Sequence, residues 1–464
     1  MVRQRTGEID VSNDGGRRGV RSRRLTYSPV VAVLAAVAMG LSAQPAIAAA
    51  GELDLSFGTA GVLSTTFGGT YDWAYAAAVQ PDGDIVAAGV SNGAGTYDFA
   101  LTRYRPDGSL DRSFGDGGRV TTDFEKSSDW AYALGLAPDG RIVVGGVSDA
   151  GGRKHFALAR YRPDGSLDTS FGHGGRVVDD RRPLTAGIIH GLAIQPDGKI
   201  VVGGVNVDDA VTVNPEGDFT VARYLPDGSP DLAFGIAGTA TTDFDHGSYD
   251  EANALALQPD GRIVLGGSTN RRGRGALYGA DDLALARYTP EGLLDSSFGD
   301  GGKVVIDAGS LDEAINSLAL APDRTIVAAG FVHGEKRGDL LLARFQPDGT
   351  LTSGWGNTHA GLTIDDLGTN SERLASVALR PDGRIVAGGQ TAVSHNADFA
   401  VFRYDRNGLL DPSFGHGGVA TTDFGGREDR VRAVALQPDG KIVAVGQSET
   451  NFAVARFDGG NADR

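Results

Sequence analysis

Acidic side chains recur at two fixed places along this 464-residue chain. One set stands just before short apolar runs: Asp72, Asp129, Asp250, Asp312, Glu313, Glu372 and Asp429. The other precedes runs such as Phe99-Ala100-Leu101: Asp98, Asp218, Asp282, Asp339 and Asp398, with His155 and Asn451 in the same slot elsewhere. Carboxylates gathered this way fit two chemistries. Several oxygens side by side can hold Ca²⁺, with carbonyls of glycine-rich loops completing the shell. Equally, an Asp at a strand start can accept hydrogen bonds from local backbone N–H groups. The densest acidic loop, Asp208, Asp209, Glu216 and Asp218, is the first place to expect an ion. Neither the EF-hand spacing nor the glycine-rich calcium nonapeptide is present. Two carboxylates at glycosidase separation could be drawn from this set, but the sequence does not choose a pair. His-Glu-x-x-His, Gly-x-Ser-x-Gly and a phosphate-cradling loop with Lys are all lacking. His190 stands apart from the other seven histidines because it lies in an apolar run expected to line a channel.

The elements that must position these groups come from a repeat. Pro-Asp-Gly starts at Pro81, Pro138, Pro196, Pro259, Pro381 and Pro438, and a Pro-Asp-Arg copy starts at Pro322. Pro presets the turn, Asp bonds its own backbone and Gly accepts positive φ. In the second unit the turn joins Ala131–Ala137 to the β-branched run Arg141–Gly146, which makes a hairpin. Phe156–Tyr161 follows, then a second Pro-Asp-Gly turn and a fourth extended segment. Four antiparallel strands in every 57 to 63 residues predict an all-β, seven-bladed β-propeller with almost no helix. Gly61–Phe67 is a fourth strand with no blade before it, and Phe452–Phe457 a third strand with none after it. Pairing the two closes the circle and removes both sheet edges.

Arg103, Arg160, Arg223, Arg287, Arg344, Arg403 and Arg456 fill one position in every unit, and Asp54, Asp111, Asp168, Asp231, Asp295 and Asp411 another. A group needed in every blade belongs to the blade, so these read as arginine–carboxylate contacts stitching the units. Thr352 replaces the acid once, which predicts one missing pair. The Phe57, Phe114, Phe171, Phe234, Phe298 and Phe414 series reads as core. By contrast, the second-to-third-strand loops vary, at 8, 8, 13, 15, 9, 9 and 5 residues. Variation confined to one face of a constant scaffold marks a binding face, against drift in a tolerant loop.

Leu-Asp-x-Ser-Phe-Gly, Gln-Pro-Asp-Gly-(Lys/Arg)-Ile-Val and Phe-Ala-x-Ala-Arg-Tyr together resemble the bacterial delta-60 repeat over residues 51 to about 459. The resemblance implies a β-propeller with a strand order like that of NHL propellers, and it implies little about activity.

The first 48 residues read as a cleavable export signal. Arg17, Arg18, Arg21, Arg23 and Arg24 lead an apolar run from Val30 to Ala43, ending in Ala46-Ile47-Ala48. The run is too short for a bilayer-spanning helix. The remaining 416 residues carry 36 basic and 56 acidic groups, net −20, which disfavours nucleic acid and anionic lipid as partners. With no cysteine, stability must come from one continuous core. The expectation is a secreted, monomeric, non-catalytic scaffold without a cofactor, binding a protein or cell-wall glycan through its acidic loop face. The alternatives are a carbohydrate-active hydrolase or lyase and a calcium-binding structural protein.

Overall fold

The computed structural model describes residues 49–181, 186–207, 217–245, 248–270, 281–309, 312–333, 338–369, 372–393, 396–426 and 428–460. The candidate ion ligands Asp208, Asp209 and Glu216, and the export signal, lie outside them. The described residues are almost entirely strand and turn, with one 3-10 turn at Ala150–Gly152. They form four separate four-stranded antiparallel sheets and one twelve-stranded sheet composed of three such groups. The second group is representative: Asp129–Leu136, Ile142–Ser148, His155–Tyr161 and Arg176–Asp179, each strand paired antiparallel with the next.

The twelve-stranded sheet departs from the separate blades expected. Single parallel bridges, Gly217↔Tyr249 and Asp281↔Asp312, carry hydrogen bonding from a third strand to the first strand of the following group. These third strands, Gly217–Tyr224 and Asp281–Tyr288, follow the two longest of the second-to-third-strand loops. The N-terminal strand, Val62–Thr65, pairs antiparallel with the C-terminal strand, Asn451–Phe457, in the register Val62↔Ala455 to Thr65↔Phe452.

The core lies between successive groups. Phe99 and Leu101 of one group meet Ala131 and Ile142 of the next, and Ala74 and Ile85 meet Val443 and Val445. Buried tyrosines at the ends of third strands reach the preceding group, as Tyr104 Oη does to Thr65 Oγ1 (2.8 Å) and Tyr161 Oη to Thr122 Oγ1 (2.8 Å). The repeated arginine is a latch between groups. Arg223 Nε donates to Asp231 (2.8 Å), its Nη1 reaches Pro290 O of the next turn (2.6 Å), and its guanidinium sits 4.5 Å from the Phe234 centroid. Where Thr352 replaces the acid, Arg344 turns instead to Asp323 (2.8 Å), and Trp355 fills the Phe position with its indole N–H on Arg406 O (2.9 Å).

Candidate functional site

Among the described residues, all seven first strands carry a β-bulge. The pairing register shifts between Ala74 and Ala76, Ala131 and Ala133, Ile189 and Gly191, Ala252 and Ala254, Ile315 and Ser317, Leu374 and Ser376, and Val431 and Ala433. In each, one residue has no partner across the ladder and the strand bends there. A glycine in the second strand permits it. A Cβ on Gly146 would lie 1.9 Å from Trp130 O, and Gly89, Gly204, Gly267, Gly330, Gly389 and Gly446 face the same close carbonyl. This glycine is needed for close backbone approach and not for positive φ.

The bulged residues are Tyr75, Tyr132, His190, Asn253, Asn316, Ala375 and Arg432, and all seven line one cavity of about 420 Å³. Seven equivalent backbone positions thus present different side chains, sorted by chemistry. Tyr75 and Tyr132 meet edge-on at 5.0 Å, and Tyr132 lies 5.3 Å from the His190 ring. His190 Nε2 lies 3.1 Å from Glu251 Oε1 without hydrogen-bond alignment, and this contact is the main influence holding the Glu251 carboxyl below its usual range. Asn253 and Asn316 donate to the carbonyls of Ile315 (3.1 Å) and Leu374 (2.7 Å), the residues just before neighbouring bulges. Arg432 closes the series, its guanidinium 5.5 Å from the Tyr75 centroid.

Two residues earlier on the same strands, a second tier carries Trp73, Trp130, Glu251, Arg373 and Arg430. Tyr97 stacks on Trp130 at 5.1 Å and touches Tyr71 edge-on at 5.3 Å, and Tyr71 lies against Trp73. An aromatic strip therefore continues from the cavity toward the loop residues Tyr71 and Tyr97. Opposite in character is the arginine side. Burial, with repulsion from Arg430, lowers the pKa of Arg432, and burial with Arg432 and Arg430 does the same for Arg373. Arg430 pairs with Glu428 (3.1 Å), whereas Arg432 bonds the neutral Gln447 amide oxygen (3.1 Å) and Arg373 stacks on Phe331 (3.8 Å). Guanidinium groups stay protonated through such shifts, so a cationic patch sits inside an acidic protein.

The acidic residues of the loop face behave as backbone caps with additional charge around them. Asp72, Asp129, Asp250 and Asp429 are buried, and each accepts the N–H of the residue two past the preceding fourth strand: Phe67, Phe124, Phe244 and Phe424, all at 2.8 Å. Glu313 rather than Asp312 takes this role in its group, accepting from Ala308 N (2.8 Å), while Asp312 sits in the bridge to Asp281. Glu372 accepts the N–H and hydroxyl of Thr369. The third-strand acids come to the same places. Asp98, Asp123 and Asp129 each bring an oxygen within 4.8 Å of the others, as do Asp218, Asp243 and Asp250, and Asp339, Asp366 and Glu372. Asp398 lies beside Asp423 and Asp429, and burial, then those charges, push its pKa up. Asp282 is buried at the matching position of its own group. Burial followed by the Asp123 and Asp129 charges pushes Asp98 up to about 6.

Six segments, residues 80–114, 137–171, 195–234, 258–298, 380–414 and 437–459, match the family model described as a domain of unknown function (DUF5122) beta-propeller. The chain is a β-propeller repeat protein. The unmatched copy is the one carrying Arg324 and Trp355. No curated protein matches the chain in sequence. Similar solved structures include Sqt1 from Chaetomium thermophilum, at 15% identity over 86% of this chain and 100% of that one, TM-score 0.42. The polysaccharide lyase Uly1 is similar at 10% identity over 84% and 90%, TM-score 0.47. A protein of unknown function from Dyadobacter fermentans is similar at 12% identity over 86% and 99%, TM-score 0.39. At these scores the likenesses carry no argument about activity. In this propeller the sequence reading singled out His190 and both strand-start acid series. It missed the tyrosines and arginines of the channel, and the third acid of each triad. The recurring Thr-Thr-Asp-Phe at 121–124, 241–244 and 421–424 was the available signal for that third acid.

Proposed function

We propose that the protein is an exported, closed seven-bladed propeller of the delta-60 type that binds an acidic glycan at the mouth of its central channel. One observation carries the reading: equivalent bulge positions hold Tyr75 and Tyr132 beside Arg432, with His190 and two asparagines beyond. Sugar rings present apolar faces that stack on aromatics and hydroxyls that suit Asn and His, and a uronate or sulfate group suits Arg. The ligand's charge is also what offsets the repulsion among Arg373, Arg430 and Arg432. On this reading, recognition lies at the channel rather than on the outlying carboxylates of the loop face. The test is a panel of uronate-bearing, sulfated and neutral oligosaccharides against the purified protein. Arg432→Ala and Tyr132→Ala should each lose acidic-glycan binding with an unchanged melting temperature. Equal affinity for neutral and acidic sugars would defeat the proposal.

A second reading is supported by the His190–Glu251 contact beside Tyr132: a glycan lyase or hydrolase in which His190 moves a proton at the bound sugar. It predicts a slow release of shortened or unsaturated product that His190→Ala abolishes while binding persists. Export is tested separately, by N-terminal sequencing of the extracellular protein, which should begin near Ala49.

A further inference from the structure

Capping a turn needs one carboxylate, yet these junctions carry three. Each added charge within 4.8 Å raises the electrostatic cost of the others, so the additional acids call for a reason beyond backbone capping. The three triads differ in how far hydrogen bonding satisfies them. Asp129 is complete: Oδ1 accepts from Ser127 Oγ (2.7 Å) and Oδ2 from Phe124 N (2.8 Å). Glu372 is 1% exposed, and its Oε1 takes both Thr369 donors, at 2.9 and 2.7 Å, while Oε2 has no hydrogen-bond partner. Asp250 is fully buried, and its Oδ2 takes Phe244 N (2.8 Å) and Ser248 Oγ (2.9 Å), while Oδ1 has none. A buried carboxylate oxygen without a donor is costly unless a cation meets it.

We propose that Asp218, Asp243 and Asp250, and likewise Asp339, Asp366 and Glu372, are two binding sites for calcium. The donors are all oxygen, which selects a hard cation over zinc or copper. Three carboxylates binding through one or both oxygens supply three to six of the six to eight ligands calcium takes, and a loose arrangement of acids from three chain segments suits calcium better than the strict octahedron of magnesium. Each site draws one acid from a third strand, one from the end of the following fourth strand and one from the first strand of the next group. Asp339 lies in Gly338–Phe345, Asp366 directly follows Leu362–Asp365, and Glu372 directly precedes Arg373–Leu379. An ion there would tie neighbouring groups together on the face away from the arginine latches. The Asp98 triad, whose buried Asp129 is already satisfied, is excluded.

Equilibrium dialysis of the full chain against radioactive calcium, after chelation, reads this directly. About two ions should bind per chain at roughly millimolar free calcium, the range of extracellular calcium modules. The melting temperature should rise by several degrees with calcium, less with equal magnesium, and fall back on chelation. Asp250→Asn and Glu372→Gln should each remove one ion, and Asp98→Asn neither. Binding of less than one ion by the wild-type chain overturns the proposal, whatever the variants do. So does a folded Asp250→Asn, Glu372→Gln double variant that retains both ions.

Discussion

Replacing Asp54 by Asn isolates the side-chain latch that adds to the strand pairing between Val62–Thr65 and Asn451–Phe457. Asp54 Oδ2 receives Arg456 Nε at 2.8 Å and Nη2 at 2.7 Å, together with Lys441 Nζ at 2.9 Å, while Ser56 Oγ donates to Oδ1 at 2.6 Å. The Arg456 side chain is 4% exposed and that of Asp54 13%. Burial acts to raise the Asp54 carboxyl, but the Ser56 hydroxyl, Lys441 and Arg456 outweigh it and hold the group well below the usual carboxylate range. Surface pairs contribute about 0–1 kcal/mol, and breaking a fully buried pair costs about 3–5 kcal/mol. Asn keeps the shape and an acceptor for Ser56 but leaves Arg456 uncompensated beside Phe57, so the expected loss is about 2–3 kcal/mol. Urea denaturation at neutral pH measures it as a lower midpoint at unchanged slope. The sign of the pH dependence follows from linkage. A depressed folded pKa gives stability that is complete above the unfolded value of 3.8 and is lost as pH falls through the folded value. The gap between wild type and variant should thus be constant from neutral pH down to about 5 and shrink below about 4. A gap under about 0.5 kcal/mol at neutral pH would refute the latch as a stabilising contact.

Other perturbations have equally definite outcomes. Arg324 sits at φ 69 where the other copies of the turn have glycine, so Arg324→Gly should raise stability by about 1 kcal/mol in the same denaturation assay. Gly146→Ala drives a methyl into Trp130 O and should cost at least about 2 kcal/mol, with tryptophan fluorescence reporting the displaced Trp130–Tyr132 strand. The raised Asp98 group works opposite to Asp54: its folded form favours the proton, so stability is highest below the unfolded value of 3.8 and declines as pH rises through about 6. Asp98→Asn should remove that decline and add up to about 3 kcal/mol near pH 7, read by melting curves between pH 4 and about 7.5. A variant less stable than wild type at pH 7 would contradict it.

Repetition made the scaffold legible. An arginine, an acid and an aromatic recurring in nearly every unit had to be structural, and Arg223, Asp231 and Phe234 meet as that pattern requires. Even the exception was readable in part: Thr352 announced a lost pairing, though not that Asp323 would take Arg344. Of the strand-start acids, Asp98 meets Asp129, Asp218 meets Asp250 and Asp339 meets Glu372, but Asp123, Asp243 and Asp366 were not joined to them in the sequence, because a polar residue closing a short strand looks like an ordinary strand end. The channel was harder. Two-residue alternation assigns each side chain to one face of a sheet, and a bulge inserts one residue into that count. Tyr75 and Arg432 therefore sat in a register that simple alternation could not place.

That same bulge explains how a repeat can be rigid and specific together. The residue enabling it is a glycine on the adjacent strand, whose missing Cβ admits the carbonyl of Trp73, Trp130 or their equivalents. Backbone geometry is thus set by one column of the repeat, while the chemistry offered to the channel is set by another, and the two columns lie on different strands. Substitution at Tyr132 or Arg432 leaves the glycine and its carbonyl contact intact, so the channel lining can change without remaking the blade. Substitution at Gly146 does the reverse, removing the geometry while leaving every channel side chain in the sequence. If recognition resides in the channel, tyrosine and arginine variants must lose ligand at full stability, and glycine variants must lose both together. Any glycine variant that keeps its ligand while losing stability would show that the bulge shapes the sheet and not the site.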